Sequence, residues 1–146
     1  ADGAETCIFC RPDLRYHDSL AKPLRRALGF RTPVVQLPYW QCWEGGLNDR
    51  FAICSSAQAI RAYGLRIEEA LNFCQNNGPL HSERLLAHAL RIANIDVRKI
   101  STRAGRVRLG GQERYEDFLP PWLSIARNAL REQGLAVANR LGLRRP

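Results

Sequence analysis

The sequence predicts a mainly α protein: a small bundle of about four to five helices with an irregular N-terminal third and one basic β-hairpin near residues 95–110. Three observations predict it. Residues 49–93 space apolar side chains three and four apart, the helical signature. Residues 1–48 are punctuated by Pro12, Pro23, Pro33 and Pro38 and close on Gly45-Gly46. Residues 95–110 mix aliphatics with cations around Ala104-Gly105, and Arg106-Val107-Arg108-Leu109 alternates with period two.

The elements follow in order. The 1–48 segment is expected to be irregular and to pack on the bundle or on a partner, because it is too rich in Trp, Tyr, Phe and Leu to stay solvated. Inside it, one short helix is expected from about Pro23 to Leu28, since proline is tolerated in a first turn and Gly29 suits a C′ position. Val34-Val35-Gln36-Leu37 reads as a short edge strand stopped by Pro38. The helical domain is expected to span 49–146. Ile53, Ala57 and Ile60 share a helix face, and Gly64 stops it. Ile67, Ala70, Leu71 and Cys74 follow at helical spacing, up to the turn Asn76-Asn77-Gly78-Pro79. Ser82 caps a third helix carrying Leu85, Leu86, Ala89, Leu90 and Ala93. A C-terminal helix is expected over 121–141, opened by Pro121 and striped by Leu123, Ala126, Leu130, Val137 and Leu141.

Composition narrows the function. A chain of 146 residues can bury a real core, and with 45% hydrophobic residues it is not a disordered chain. The net charge of +8 favours a polyanionic partner. Arginine supplies 20 of the 22 cations. A GC-rich coding sequence also favours Arg over Lys, but it cannot create the surplus of positive charge. The absence of methionine leads us to expect a processed N-terminus. No apolar run reaches the roughly 20 residues of a membrane span. Five cysteines, an odd number, favour packed thiols in a reducing compartment over a secreted disulfide scaffold.

The candidate sites are few. Arg98, Lys99, Arg103, Arg106 and Arg108 fall within eleven residues on the expected hairpin, and Arg144 and Arg145 close the chain. Guanidinium grips phosphate in a planar, bidentate way. No aromatic lies among the five clustered cations, so charge and shape rather than base stacking would carry binding. Arg144 and Arg145 also suit the negative end of the expected C-terminal helix. Cys7 and Cys10 have the C-x₂-C spacing of half a zinc site, to be completed by His17, Cys42 or a partner chain; disulfide chemistry and plain packing are the other readings. His81 and His88 share a helix face but sit two turns apart, too far for one ion. No phosphate-binding glycine loop and no carboxylate pair is present.

Gln36 precedes Cys42-Trp43 by six residues. Over about eight residues this resembles papain-like cysteine peptidases. The resemblance implies Cys42 as nucleophile and Gln36 as an oxyanion donor, with His81 or His88 as the base, since no histidine follows His88.

The expectation that results is a non-catalytic basic subunit of a large assembly, a ribonucleoprotein such as an organellar (mitochondrial) ribosome. It would contact the RNA phosphate backbone and neighbouring protein subunits and need no cofactor. A protein-interaction module, such as a secreted effector or a subunit of a membrane-associated complex, is the first alternative; a peptidase using Cys42 is the second.

Overall fold

The computed structural model describes residues 6–42, 45–120 and 122–123. It shows an α/β fold and corrects the mainly α expectation. Among the described residues, six strands and four α-helices follow in the order β1 (Cys7–Phe9), β2 (Leu14–Tyr16), α1 (Ala21–Ala27), β3 (Val34–Pro38), β4 (Ala52–Cys54), α2 (Ala57–Gly64), α3 (Ala70–Asn77), α4 (Ser82–Ile92), β5 (Asp96–Ile100) and β6 (Ala104–Arg106). A 3₁₀ turn over Arg66–Glu69 joins α2 to α3. Four strands form a mixed sheet in the order β1-β4-β3-β5, in which only β3 and β5 run parallel; β2 and β6 make a separate antiparallel pair.

The N-terminal third is therefore not irregular. It supplies β1, β2, α1 and β3, interleaved with strands from the rest of the chain. Val34–Pro38 is not an edge either. It is paired on both sides, to β4 and to β5, and all five residues are buried. Pro38 is tolerated there because it is the last residue of the strand; the ladder resumes with the Tyr39 N–H donating to the Ile100 carbonyl at 3.2 Å.

The sheet has a helical layer on one face and a mixed layer on the other. Val35 and Leu37 of β3 and Ala52 and Cys54 of β4 face α2 and α4, meeting Ala59, Tyr63, Leu86 and Leu90. Ile53 and Ile100 point the opposite way, toward α1, Trp40, Phe51 and the β2-β6 pair. Alternation along each strand builds both cores from one set of strands. Ile53, read as the start of a helical stripe, is thus a strand residue that faces away from α2. The expected stripe of Ile67 and Leu71 is 64% and 71% exposed; Phe73 turns inward instead.

Two helix ends are well specified. Ser56 caps α2, its hydroxyl accepting from the Ala59 N–H at 3.2 Å. At the end of α4, Asn94 adopts a left-handed conformation (φ 54°), and the Ile95 N–H reaches back to the Leu90 carbonyl at 2.9 Å. This glycine-type stop turns the chain directly into β5. Ser82 begins α4 as expected, but it is the first helical residue and not the cap; His81 holds that position, with no side-chain capping bond. Of the expected C-terminal helix over 121–141, all but Trp122 and Leu123 lies outside the described residues.

Candidate nucleic-acid interface

The five clustered cations do not share a hairpin. β5 joins the main sheet beside β3, whereas β6 pairs with β2. The two limbs expected to pair belong to different sheets. A hairpin does exist, shifted onward in sequence. Val107 bridges Glu113, the Arg108 N–H donates to the Gln112 carbonyl at 2.8 Å, and the Arg114 N–H donates to the Arg106 carbonyl at 2.7 Å. Gly110 and Gly111 form its tip at φ 96° and 80°, the region only glycine enters without strain.

Each predicted cation then has its own setting. Arg103 is committed internally. Its guanidinium clamps Asp18 with two bonds of 2.9 and 3.0 Å, and its backbone N–H adds a third of 2.9 Å. These bonds hold the Asp18 carboxyl down to about 2. Arg106 is also committed: its Nε donates at 3.0 Å to Glu116, which is 5% exposed. Arg50 joins the same carboxylate at 3.2 Å and stacks 5.4 Å from the Trp40 ring centre. The Gln41 amide completes the cluster, donating to Glu116 at 2.7 Å and accepting from Arg50. Burial works to raise the Glu116 pKa, but the bonds from Gln41 and Arg106 and the charges of Arg50 and Arg106 outweigh it and hold it below the ordinary carboxylate value.

Arg98, Lys99 and Arg108 are exposed. Arg98 lies opposite Gln36 in register, and Gln36 donates to the Pro23 carbonyl of α1 at 2.8 Å. Neighbours in register share a sheet face, so Arg98 points to the α1 side. Its partner Asp96, at 2.7 Å, is a surface one; such pairs are weak and exchange readily for a better anion. Lys99 points to the other face, where its Nζ lies 3.5 Å from the Cys42 Sγ. Arg144 and Arg145 lie outside the described residues.

A basic surface that sequence reasoning overlooked sits on α1. Pro23 and Ala27 are buried one turn apart, with Leu20 and Leu24 against the same core. That packing turns Lys22, Arg25 and Arg26 to solvent, and Arg31 is exposed in the turn that follows. None of the four makes an ion pair with a described residue. The signal was present in the sequence: no Asp or Glu occurs between Asp18 and Glu44. The helix dipole favours Arg25 and Arg26 in the last turn, but it accounts for neither Lys22 nor Arg31. Arg98, exposed and paired with Asp96, lies on the same side of the sheet.

The remaining candidates are dispersed. Cys7 lies half-buried in β1, directly opposite Cys54, and Cys10 is exposed beyond the strand end. Burial and the neighbouring Cys7 push the Cys54 thiol up to about 12. Among the described residues, no group of three or more His, Cys, Asp or Glu could hold a metal ion, so nothing there completes a site at Cys7 and Cys10. Cys42 sits in an irregular stretch after β3, its thiol 3.7 Å from the Tyr39 carbonyl. The amide of Gln36 is buried and donates to the Pro23 carbonyl of α1 at 2.8 Å. His81 and His88 begin and line α4; His88 packs edge-on against Phe73, with ring centres 5.4 Å apart. No helix among the described residues is long and apolar enough to cross a membrane. No known protein family matches this chain, and no curated protein or solved structure is significantly similar to it.

Proposed function

We propose that this protein is a non-catalytic, basic subunit of a ribonucleoprotein assembly that grips RNA phosphates mainly through α1. One observation carries the reading: Lys22, Arg25, Arg26 and Arg31 stand exposed and without ion pairs to described residues, in a segment that contains no carboxylate. Cations kept free of internal partners cost self-repulsion, which a polyanion relieves. Arg98 extends the surface, and Arg108 adds a second contact from the shifted hairpin. Contacts of this kind position a backbone and do not read sequence.

The test is anisotropy of a labelled, folded RNA titrated with protein at several salt concentrations. Affinity should fall with salt at roughly 0.7 to 0.9 log units per log unit for each phosphate neutralised. R25E/R26E should weaken binding strongly and flatten that slope by about two contacts. R108E should have a smaller effect. Charge reversal at Arg106 is the wrong probe, because its target is the buried Glu116. Unchanged affinity in a folded R25E/R26E protein would reject the reading.

A protein-interaction module is the second reading, and one observation favours it. Ile67, Leu71 and Leu80 are 64%, 71% and 54% exposed on the side of the molecule that carries α3. RNA binding that survives I67E/L71E but not R25E/R26E separates the two surfaces.

A further inference from the structure

A second cationic feature lies on the opposite side of the sheet from α1. Arg84, His88 and Arg91 follow one another along α4 at intervals of four and three residues, which places them on one helix face. Arg84 and Arg91 start about 10 Å apart along the axis, close enough for two long side chains to converge beside the central histidine. A cavity of about 210 Å³ lies there, lined by these three residues with Phe73 and Asn77 of α3.

The walls are organised for an anion. Arg84 is fixed by its Nη2 bond of 3.1 Å to the Asn77 carbonyl and by stacking 5.6 Å from the Phe73 ring centre. That bond uses one nitrogen of the fork and leaves the others without a hydrogen bond to a described residue. The Arg91 side chain is exposed and pairs with no described residue. His88 is only 8% exposed, yet its Nε2 is buried with no hydrogen-bond partner. Buried polar atoms in folded proteins are nearly always satisfied, so an unpartnered imidazole nitrogen in a residue that lines the cavity calls for an explanation. No carboxylate is found among the described residues of the wall.

We infer that this cavity binds a phosphoryl dianion, carried by a phosphate monoester or as the free ion. Two guanidinium forks and an imidazole offer donors in three directions, which suits a tetrahedral oxyanion with several acceptors better than a planar carboxylate. The volume accommodates a phosphoryl group with a few waters. α1 and α4 pack on opposite faces of the sheet, so the site is independent of the RNA surface proposed above.

The test follows the His88 imidazole nitrogens by long-range ¹H–¹⁵N NMR at constant ionic strength. Inorganic phosphate, phosphoserine and dimethyl phosphate are titrated separately. Both dianions should shift the His88 signals saturably. R91Q should weaken binding by about tenfold, the worth of one charge-assisted contact, and should leave folding intact because Arg91 is exposed. R25E/R26E should leave the response unchanged, which separates failure of this site from failure of the RNA reading. Tighter binding of phosphoserine identifies a phosphoryl group on a larger ligand; tighter binding of inorganic phosphate identifies the free ion. No saturable shift with either dianion, an equal response in R91Q, or a preference for the diester would each overturn the assignment.

Discussion

Glu116 is the residue on which most depends. It holds two guanidiniums and the Gln41 amide in a nearly dry site, and the segment that carries it is tied down by one further bond: the Tyr39 hydroxyl donates to the Phe118 carbonyl at 2.6 Å. A buried ion cluster adds little net stability, but removing one partner strands the others. Glu116→Gln leaves Arg50 and Arg106 without a counter-charge, and we expect a loss of about 3–5 kcal/mol in urea unfolding. Asp13→Asn, which breaks the exposed pair with Arg11, should cost less than about 1 kcal/mol. A Glu116→Gln cost no larger than that of Asp13→Asn would show that the cluster is not an interior one. Acid should reveal the same chemistry. Asp18 and Glu116 both titrate below their ordinary values in the folded state. The unfolded chain therefore binds more protons in acid, so their stabilisation is complete above about pH 4.5 and is lost as the pH falls through the folded values, about 2 for Asp18. Thermal midpoints measured from pH 5 to pH 2 should drop, and Asp18→Asn should remove part of that slope while lowering the midpoint at pH 5.

At the scale of elements, the loop after β3 is pressed against the backbone at the start of α4. A Cβ on Gly46 would meet the Glu83 carbonyl carbon at 2.5 Å and the Arg84 nitrogen at 2.7 Å. Both are backbone atoms of a helix and cannot step aside. The Leu47 N–H also donates to the Glu83 carbonyl at 3.0 Å. Gly46→Ala should thus destabilise by about 2 kcal/mol or more, in the upper part of the range for overpacking. Gly45→Ala, with nothing within 4 Å, should cost only the strain of its positive φ of 75°. Equal midpoints for the two variants in denaturant would contradict the contact. The sequence shows a glycine pair here, and it does not show which glycine is pressed against a helix 37 residues later. The same limit explains the other misreadings. α4 was legible because Leu85, Leu86, Ala89 and Leu90 recur at helical spacing on one face. β1 and β4 are three residues each, too short to display alternation. β3 is covered on both faces, so it reads as an unpatterned apolar run, and its parallel neighbour β5 arrives some sixty residues later. The cations of 98–108 were visible, but whether each one met a carboxylate depended on Asp18 and Glu116, which only the fold brings to them.

For the molecule as a whole, stability should be organised around β3. Like β4, it has neighbours on both sides and a core on both faces: α2 and α4 cover Val35 and Leu37, and the α1 layer covers Gln36. Its amides reach water only if both layers separate. Gln36 strengthens the linkage, since its buried amide ties the strand to the Pro23 carbonyl of α1. Loss of either layer alone would leave that amide or the aliphatic face open, so intermediates with one layer intact are disfavoured. Native-state hydrogen exchange should therefore find the hydrogen-bonded amides of β3 among the slowest, with an opening free energy equal to that of global unfolding. β1, which has a partner on one side only, and the separate β2-β6 pair should open at lower cost. Gln36→Leu should lower the protection of β3 and of α1 together, because it removes the bond across the layer and leaves the Pro23 carbonyl without it. Protection of β3 below the global value, or a Gln36→Leu effect confined to α1, would mean that the two layers unfold separately and that the sheet does not couple them.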